Sequence, residues 1–180
     1  MAATHDAPRD RGRGISVWLV PEARSRLALA RTIAGLSRAL DGPIFPPHVT
    51  LLGGIERGGS EVVPVVEELA RTLEPLTLWS EGIGTRDAYF RALFLQLRAD
   101  APLVAAHAAA ARALGREPEP DFFPHLSLAY GWHGEPAKRA AADRLEEPPP
   151  ELLASRIEVY RTEGPPAEWS LEAGFDLGAV

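Results

Sequence analysis

Two short segments of this chain share one pattern, and that pattern constrains how the chain can fold. Residues 45–52 read Phe-Pro-Pro-His-Val-Thr-Leu-Leu, and residues 122–129 read Phe-Phe-Pro-His-Leu-Ser-Leu-Ala. In each copy an aromatic residue and a proline lead into a histidine, and a hydroxyl residue follows two positions later within an apolar run. Because side chains alternate between the two faces of a strand, the histidine and the hydroxyl of each copy project to the same face.

The polar side chains of the two motifs are His48 with Thr50 and His125 with Ser127. If the two strands lie side by side, two imidazoles and two hydroxyls line one cleft. Histidine suits proton transfer because its pKa lies near neutral pH, and hydroxyls can donate hydrogen bonds to phosphate oxygens. The motifs therefore predict hydrolysis of a phosphate ester, in which one histidine activates water and the other protonates the leaving oxygen. A bell-shaped pH profile follows, but the sequence does not assign the two roles.

The repetition of the motif carries this prediction, since a single His-x-Thr matches many sequences by chance. The other histidines have no such context. His107 lies in an alanine-rich segment and is expected to be a packed or surface residue, and His133 is expected in a loop near the cleft. The sequence shows none of the histidine, cysteine and carboxylate spacings of a metal centre, so we expect no metal and no cofactor.

The composition narrows the class of protein. The chain has 180 residues, of which 46% are hydrophobic and 24% charged, typical of one soluble domain. It has no cysteine, which excludes disulfides and thiol nucleophiles and fits a cytoplasmic protein. The net charge of −6 argues against general coating of RNA, although a small phosphate ligand in a locally positive pocket remains compatible with it. We expect a monomer, a disordered tail over residues 1–14, a single domain over residues 15–180 and no membrane span.

Hydrophobic periodicity predicts an alternation of strands and helices, with one motif strand in each half of the chain. The predicted strands are 15–20, 49–55, 76–82, 90–98, 126–130, 157–161 and 169–175. The predicted helices are 22–40, 62–73, 101–114 and 136–145, the second with Ser60 as its cap. This order predicts an α+β fold, a duplicated bilobal unit in which two small antiparallel sheets face each other across a central cleft with helices outside.

The two motifs and their surroundings resemble the two-histidine phosphoesterase superfamily. Within it, the sequence is similar to the cyclic phosphodiesterase-like proteins of plants and yeast. The similarity rests on both motifs, on Ser-Val-Trp-Leu-Val-Pro at residues 16–21, on segments 82–85 and 94–97, and on Tyr130 after the second motif. It covers roughly residues 15–175, nearly the whole predicted domain.

The resemblance implies a two-lobed fold that opens 2′,3′-cyclic phosphates, or ADP-ribose 1″,2″-cyclic phosphate. Carried over by position, His48 and His125 become the acid and base, and Thr50 and Ser127 bind the phosphate. Tyr130 would also approach the phosphate or the base. Because it lies an odd number of residues after His125, it needs a bend or the strand end to face the cleft.

Three aromatic residues are further candidates by the same resemblance. Trp18 in the first strand and Tyr89 or Phe90 in the middle hairpin could stack on a nucleobase. Core packing is the alternative for each of them, because aromatic side chains fill cores by default.

Three functions remain open from the sequence. The first is a metal-independent cyclic phosphodiesterase acting on a small cyclic nucleotide. The second is processing or ligation of RNA 3′ ends, which needs a basic groove beside the cleft. The third is a non-catalytic nucleotide-binding module. The candidates for the groove are Arg86, Arg91, Arg98 and Arg161.

Overall fold

The computed structural model describes residues 12–179, and its elements follow the predicted order. The strands are β1 (Ile15–Pro21), β2 (Val49–Ile55), β3 (Leu76–Thr85), β4 (Leu93–Leu97), β5 (His125–Ala129), β6 (Glu151–Arg161) and β7 (Ser170–Asp176). The helices are α1 (Ala23–Leu40), α2 (Gly59–Thr72), α3 (Ala101–Ala113) and α4 (Glu135–Ala142). The predicted α+β class is confirmed.

The seven strands form one antiparallel sheet in the order β1-β2-β5-β4-β3-β6-β7, and β1 also pairs with β6. Six strands therefore close into a ring, with β7 outside it on β6. This corrects the prediction of two separate sheets. The reason is the length of β6, whose first residues pair with β3 while residues 156–161 pair with β1. The sequence pattern identified only the second half of this strand.

The two motif strands are neighbours. They pair antiparallel, with Val49 opposite Leu126. The histidine and the hydroxyl of each motif flank this pair, since His48 and Thr50 are next to Val49, and His125 and Ser127 are next to Leu126. The alternate residues of the same strands, among them Leu51 and Leu128, are buried in the main apolar core. One face of β2 and β5 therefore holds the fold together while the other carries the polar groups.

Two local predictions differ from the structure. The strand expected from residue 90 begins only at Leu93, because Tyr89–Arg91 forms a 3₁₀ turn. Helix α2 begins earlier than expected, with Gly58 at its N-cap and no side-chain cap, so Ser60 lies inside the first turn.

His107 is a packed residue. Its Nδ1 lies 2.7 Å from the carbonyl of Leu51, and its Nε2 accepts a hydrogen bond of 3.0 Å from the backbone N–H of Glu119. The ring thus ties α3 to β2 and has no free nitrogen for chemistry.

The last three residues of the predicted tail pack against the domain. Residues 1–11 lie outside the described part of the chain, but residues 12–14 run beside residues 162–164. The N–H of Gly12 donates to the carbonyl of Gly164 at 3.0 Å, and the N–H of Thr162 donates to the carbonyl of Gly14 at 2.8 Å. Across residues 12–179, no helix has the length and apolar character needed to cross a membrane.

Candidate active site

A cavity of about 330 Å³ lies on the polar face of β2 and β5. All four motif side chains line it, together with Trp18, Phe90 and Tyr130 from the sequence-based predictions. The cavity is also lined by seven residues that the sequence analysis did not place in the site: Gly12, Arg13, Ser16, Gly54, Arg91, Thr162 and Trp169. The paired motifs thus meet in one open cavity, as expected if their two strands are neighbours.

The two histidines are held in the same way. Nδ1 of His48 lies 2.7 Å from the carbonyl of Pro46, and Nδ1 of His125 lies 2.9 Å from the carbonyl of Phe123. A carbonyl can only accept, so Nδ1 carries the proton and Nε2 of the neutral ring is an acceptor. The prolines of the motifs favour this geometry, because a residue that precedes proline is confined to extended conformations.

Burial lowers the pKa of both histidines. The pKa of His48 falls to about 3, mainly because the ring is buried, with the charge of His125 adding to the effect against the hydrogen bond to Pro46. The pKa of His125 falls to about 4, again mainly through burial, with further lowering by Arg91 and Arg86. Both imidazoles are therefore neutral near neutral pH, and a proton on either ring has to be stabilised by a bound anion.

The two hydroxyls differ in their present partners. Thr50 is partly buried, and within residues 12–179 its hydroxyl has no hydrogen-bond partner. Ser127 is buried; its hydroxyl donates to the carbonyl of Phe90 at 2.8 Å and contacts the phenol of Tyr130. Thr50 can donate to a ligand at once, whereas Ser127 has to release Phe90 first.

Trp18 does not present a free face. It is 1% exposed, with the ring of His48 stacked on one side at 3.6 Å and Tyr160 on the other at 3.9 Å. Of the two alternatives for Trp18, core packing and stacking on a nucleobase, the structure favours core packing, since both faces of the indole are covered. Its position instead restricts the orientation of the His48 ring.

Tyr130 follows the last residue of β5, where Gly131 adopts a φ of 136° that favours glycine. Because Tyr130 lies beyond the end of the strand, its odd spacing from His125 does not prevent its side chain from lining the cavity. The ring stacks on Phe45 at 3.6 Å. Burial raises the pKa of its phenol, so Tyr130 remains a hydrogen-bond donor at all working pH values.

Two further aromatic residues form one side of the cavity. The rings of Phe90 and Trp169 lie 5.8 Å apart and are both partly exposed. Trp169 was not predicted as a site residue, because the sequence around it reads only as the start of a strand. Tyr89 lies behind Phe90 and contacts Tyr130 and Trp132, outside the residues that line the cavity.

Arginines give the site a local positive charge in an acidic protein. Arg13 and Arg91 line the cavity, and the guanidinium carbon of Arg86 lies 4.1 Å from the centre of the Phe123 ring. The other two candidates for a basic groove are engaged elsewhere: Arg161 pairs with Glu172 at 2.6 Å, and Arg98 lies over Trp79. Within residues 12–179 no cluster of three or more His, Cys, Asp or Glu side chains could hold a metal ion.

The family model of the 2′-5′ RNA ligase superfamily matches residues 17–166, a span that includes both histidine motifs. The chain belongs to this superfamily. The match confirms the predicted relation to two-histidine phosphoesterases, while the narrower cyclic phosphodiesterase-like family stays a prediction. None of the curated proteins is significantly similar to this chain in sequence.

Solved structures share the fold of this superfamily member. E. coli LigT in its apo form is 14% identical with a TM-score of 0.57, over 94% of this chain and 99% of LigT. The protein TT0787 of Thermus thermophilus is 22% identical with a TM-score of 0.60, over 92% of this chain and 98% of TT0787. At these identities the likeness shows the fold alone.

Proposed function

We propose that this protein hydrolyses 2′,3′-cyclic phosphates of nucleotides, or ADP-ribose 1″,2″-cyclic phosphate, to phosphomonoesters. One observation carries the proposal: His48 and His125 line the same cavity, and a backbone carbonyl holds Nδ1 of each ring. Each neutral ring therefore has its other nitrogen, Nε2, available for a proton. Two such rings beside one phosphorus supply both proton transfers that the hydrolysis of a diester needs.

The proposed reaction moves one proton at each imidazole. Nε2 of the neutral histidine takes a proton from water as the water oxygen forms a bond to phosphorus. The bond from phosphorus to one ribose oxygen breaks, and the protonated histidine gives its Nε2 proton to that oxygen. The two rings leave the step with exchanged protonation states, and proton exchange with solvent restores them. Because histidines carry both protons, this mechanism requires no metal.

The remaining side chains suit the charge of the substrate. The hydroxyls of Thr50 and Ser127 and the phenol of Tyr130 are donors for the non-bridging oxygens. The charge of Arg91 favours an anion in the cavity. The partly exposed pair of Phe90 and Trp169 offers apolar ring surface on which a nucleobase could stack, a contact generally worth about 1–3 kcal/mol.

The volume of the cavity and the ligands crystallised with a relative are both consistent with a nucleotide as the substrate. The cavity of about 330 Å³ lies at the lower end of the usual range for small-molecule sites. E. coli LigT has been crystallised with phosphate, with 3′-AMP, with ATP and with NADP+.

Processing or ligation of an RNA end is a second candidate, and two observations favour it. The family is that of the 2′-5′ RNA ligases, and Arg13 is an exposed cation that lines both the catalytic cavity and the adjoining cavity, which includes Arg57. The same two histidines would act on a phosphodiester at the end of a longer chain. A purely binding module is less well supported, since binding alone does not need two imidazoles at one phosphate.

The deciding experiment measures turnover of the four nucleoside 2′,3′-cyclic phosphates and of ADP-ribose 1″,2″-cyclic phosphate in excess EDTA. Phosphorus NMR identifies which phosphomonoester forms and therefore which ester oxygen leaves. Turnover in EDTA is the expected result. Turnover only of 2′-5′-linked or cyclic-phosphate-ended oligonucleotides would support the RNA candidate instead. Nucleotide binding without any turnover would support the binding module.

The hydroxyls provide a graded test of the same site. We expect Thr50→Val and Ser127→Ala each to lower kcat by about 10-fold to 10²-fold, because one donor to the charged oxygens is lost. Valine keeps the shape of threonine, so Thr50→Val removes little besides the hydroxyl. Steady-state kinetics on the cyclic phosphate measure the effect. A loss equal to that from removing a histidine, or no loss at all, would contradict the assigned role.

A further inference from the structure

The loop of residues 86–92 joins β3 to β4 and carries three groups toward the cavity. Phe90 and Arg91 line it. Arg86 stacks on Phe123, whose carbonyl holds Nδ1 of His125. The loop has a 3₁₀ turn in place of regular strand, and contacts from elsewhere in the fold, through side chains and through the backbone, help to hold it in position.

One of these contacts is made by a buried lysine. The side chain of Lys138 on α4 is 3% exposed, and its Nζ donates to the carbonyl of Arg86 at 2.8 Å and to Glu135 at 3.0 Å. Glu135 also accepts a hydrogen bond of 3.0 Å from the hydroxyl of Thr85, the last residue of β3. A buried ammonium is costly unless it is paired, so this cluster fixes the start of the loop firmly to α4.

The far half of the loop has a different attachment. The hydroxyl of Ser127 donates to the carbonyl of Phe90 at 2.8 Å, and the N–H of Gly131 donates to the carbonyl of Tyr89 at 2.9 Å. Ser127 is also a proposed donor to the substrate phosphate. When its hydroxyl turns to the phosphate, Phe90 loses that bond, and the attachment through Lys138 does not change.

We propose that Lys138 is a positioning residue that holds the loop of residues 86–92 so that Arg91 and Phe90 face the substrate. This inference rests on the proposed function, because it assigns the loop to substrate binding. The histidines themselves lie on β5 and directly before β2, and local carbonyls hold them. Loosening the loop should therefore weaken substrate binding more than it slows the chemical step.

The test compares Lys138→Met with Arg139→Met. Both variants remove one positive charge from α4 and one partner of Glu135, but Arg139 is 75% exposed and, among residues 12–179, its side chain pairs with Glu135 alone. We expect Lys138→Met to raise KM about tenfold, the scale of one lost charge-assisted hydrogen bond, with a smaller change in kcat. Arg139→Met should leave both constants near those of the unmodified protein. Lys138→Arg, which keeps a donor, should recover part of the loss.

A second readout needs no substrate. Arg91 and Arg86 lower the pKa of His125, and both lie on the loop; the other ionisable groups among the described residues that line the cavity are His48, Tyr130 and Arg13. Loosening the loop should reduce the effect of both arginines, so NMR titration of the His125 ring in Lys138→Met should show a pKa higher by about 0.5 or more. In Lys138→Met, Glu135 loses the bond that does most to lower its pKa, so the carboxylate of Glu135 is titrated alongside His125, with Arg139→Met, which also removes a partner of Glu135, as the control.

The two readouts separate failure of this inference from failure of the proposed function. If no cyclic phosphate is turned over, the His125 titration still reports whether Lys138 holds the loop. Should Lys138→Met not fold, Glu135→Gln weakens the same cluster from an exposed position and is expected to shift both readouts in the same direction. Equal KM and equal His125 titration in Lys138→Met and Arg139→Met would overturn the assignment of Lys138.

Discussion

Replacing either His48 or His125 with alanine should lower kcat/KM on the cyclic phosphate by about 10²–10⁴-fold, the usual contribution of one general acid or base. Each ring is expected to carry one of the two proton transfers, and among the described residues that line the cavity no other side chain is a histidine or a carboxylic acid. The effect should appear in kcat, because the proton moves in the transition state.

An asparagine variant separates chemistry from structure. The amide nitrogen of Asn can donate to the same carbonyl as Nδ1 of histidine, while nothing replaces Nε2. We therefore expect His48→Asn to lose about as much activity as His48→Ala, with thermal melting closer to that of the unmodified protein, since alanine leaves space beside Trp18. The double variant at both histidines should be little worse than either single variant, because the two rings act in one step. Normal turnover in either single variant would contradict the two-histidine mechanism.

The histidine motifs could be found in the sequence because their pattern is local. Two-residue alternation on a strand fixes which side chains share a face, and the apolar residues between them identify the buried side. The structure bears this out for β2 and β5, where Leu51 and Leu128 lie in the core. The prediction of one site assumes that the two strands are neighbours. The pairing of Val49 with Leu126 shows that they are.

The rest of the cavity depends on contacts between distant parts of the chain. Gly12 and Arg13 reach it because Gly12 pairs with Gly164, and no local pattern around residue 12 indicates that pairing. Trp169 lies in the same part of the fold as Gly164. The two covered faces of Trp18 likewise depend on β1 lying beside β6, which brings Tyr160 against the indole. Sequence periodicity identifies strands but does not specify which distant strands pair.

The low histidine pKa values predict an unusual pH profile. The productive free enzyme has one protonated and one neutral imidazole, and the pKa values of the pair are about 3 and about 4. The fraction of the protein in that form is largest at a pH between these two values. Above them it falls about tenfold for each unit by which the pH rises. We therefore expect kcat/KM to fall steadily from about pH 5 to about pH 8, so that only the basic side of the bell is seen.

The turnover number should behave differently. The negative charge of a bound cyclic phosphate raises the pKa of the ring that faces the leaving oxygen, so kcat should stay high to a more alkaline pH, while KM should rise with pH.

The free enzyme also loses stability in acid. Between the ordinary histidine pKa of 6.5 and the lowered values of about 4 and about 3, the unfolded chain binds protons that the folded chain excludes, so the free energy of unfolding decreases as the pH is lowered. Thermal melting at each pH separates this loss from catalysis. A kcat/KM that peaks near neutral pH would show that the rings of the free enzyme are not neutral there, and a flat kcat/KM would exclude an imidazolium as the acid.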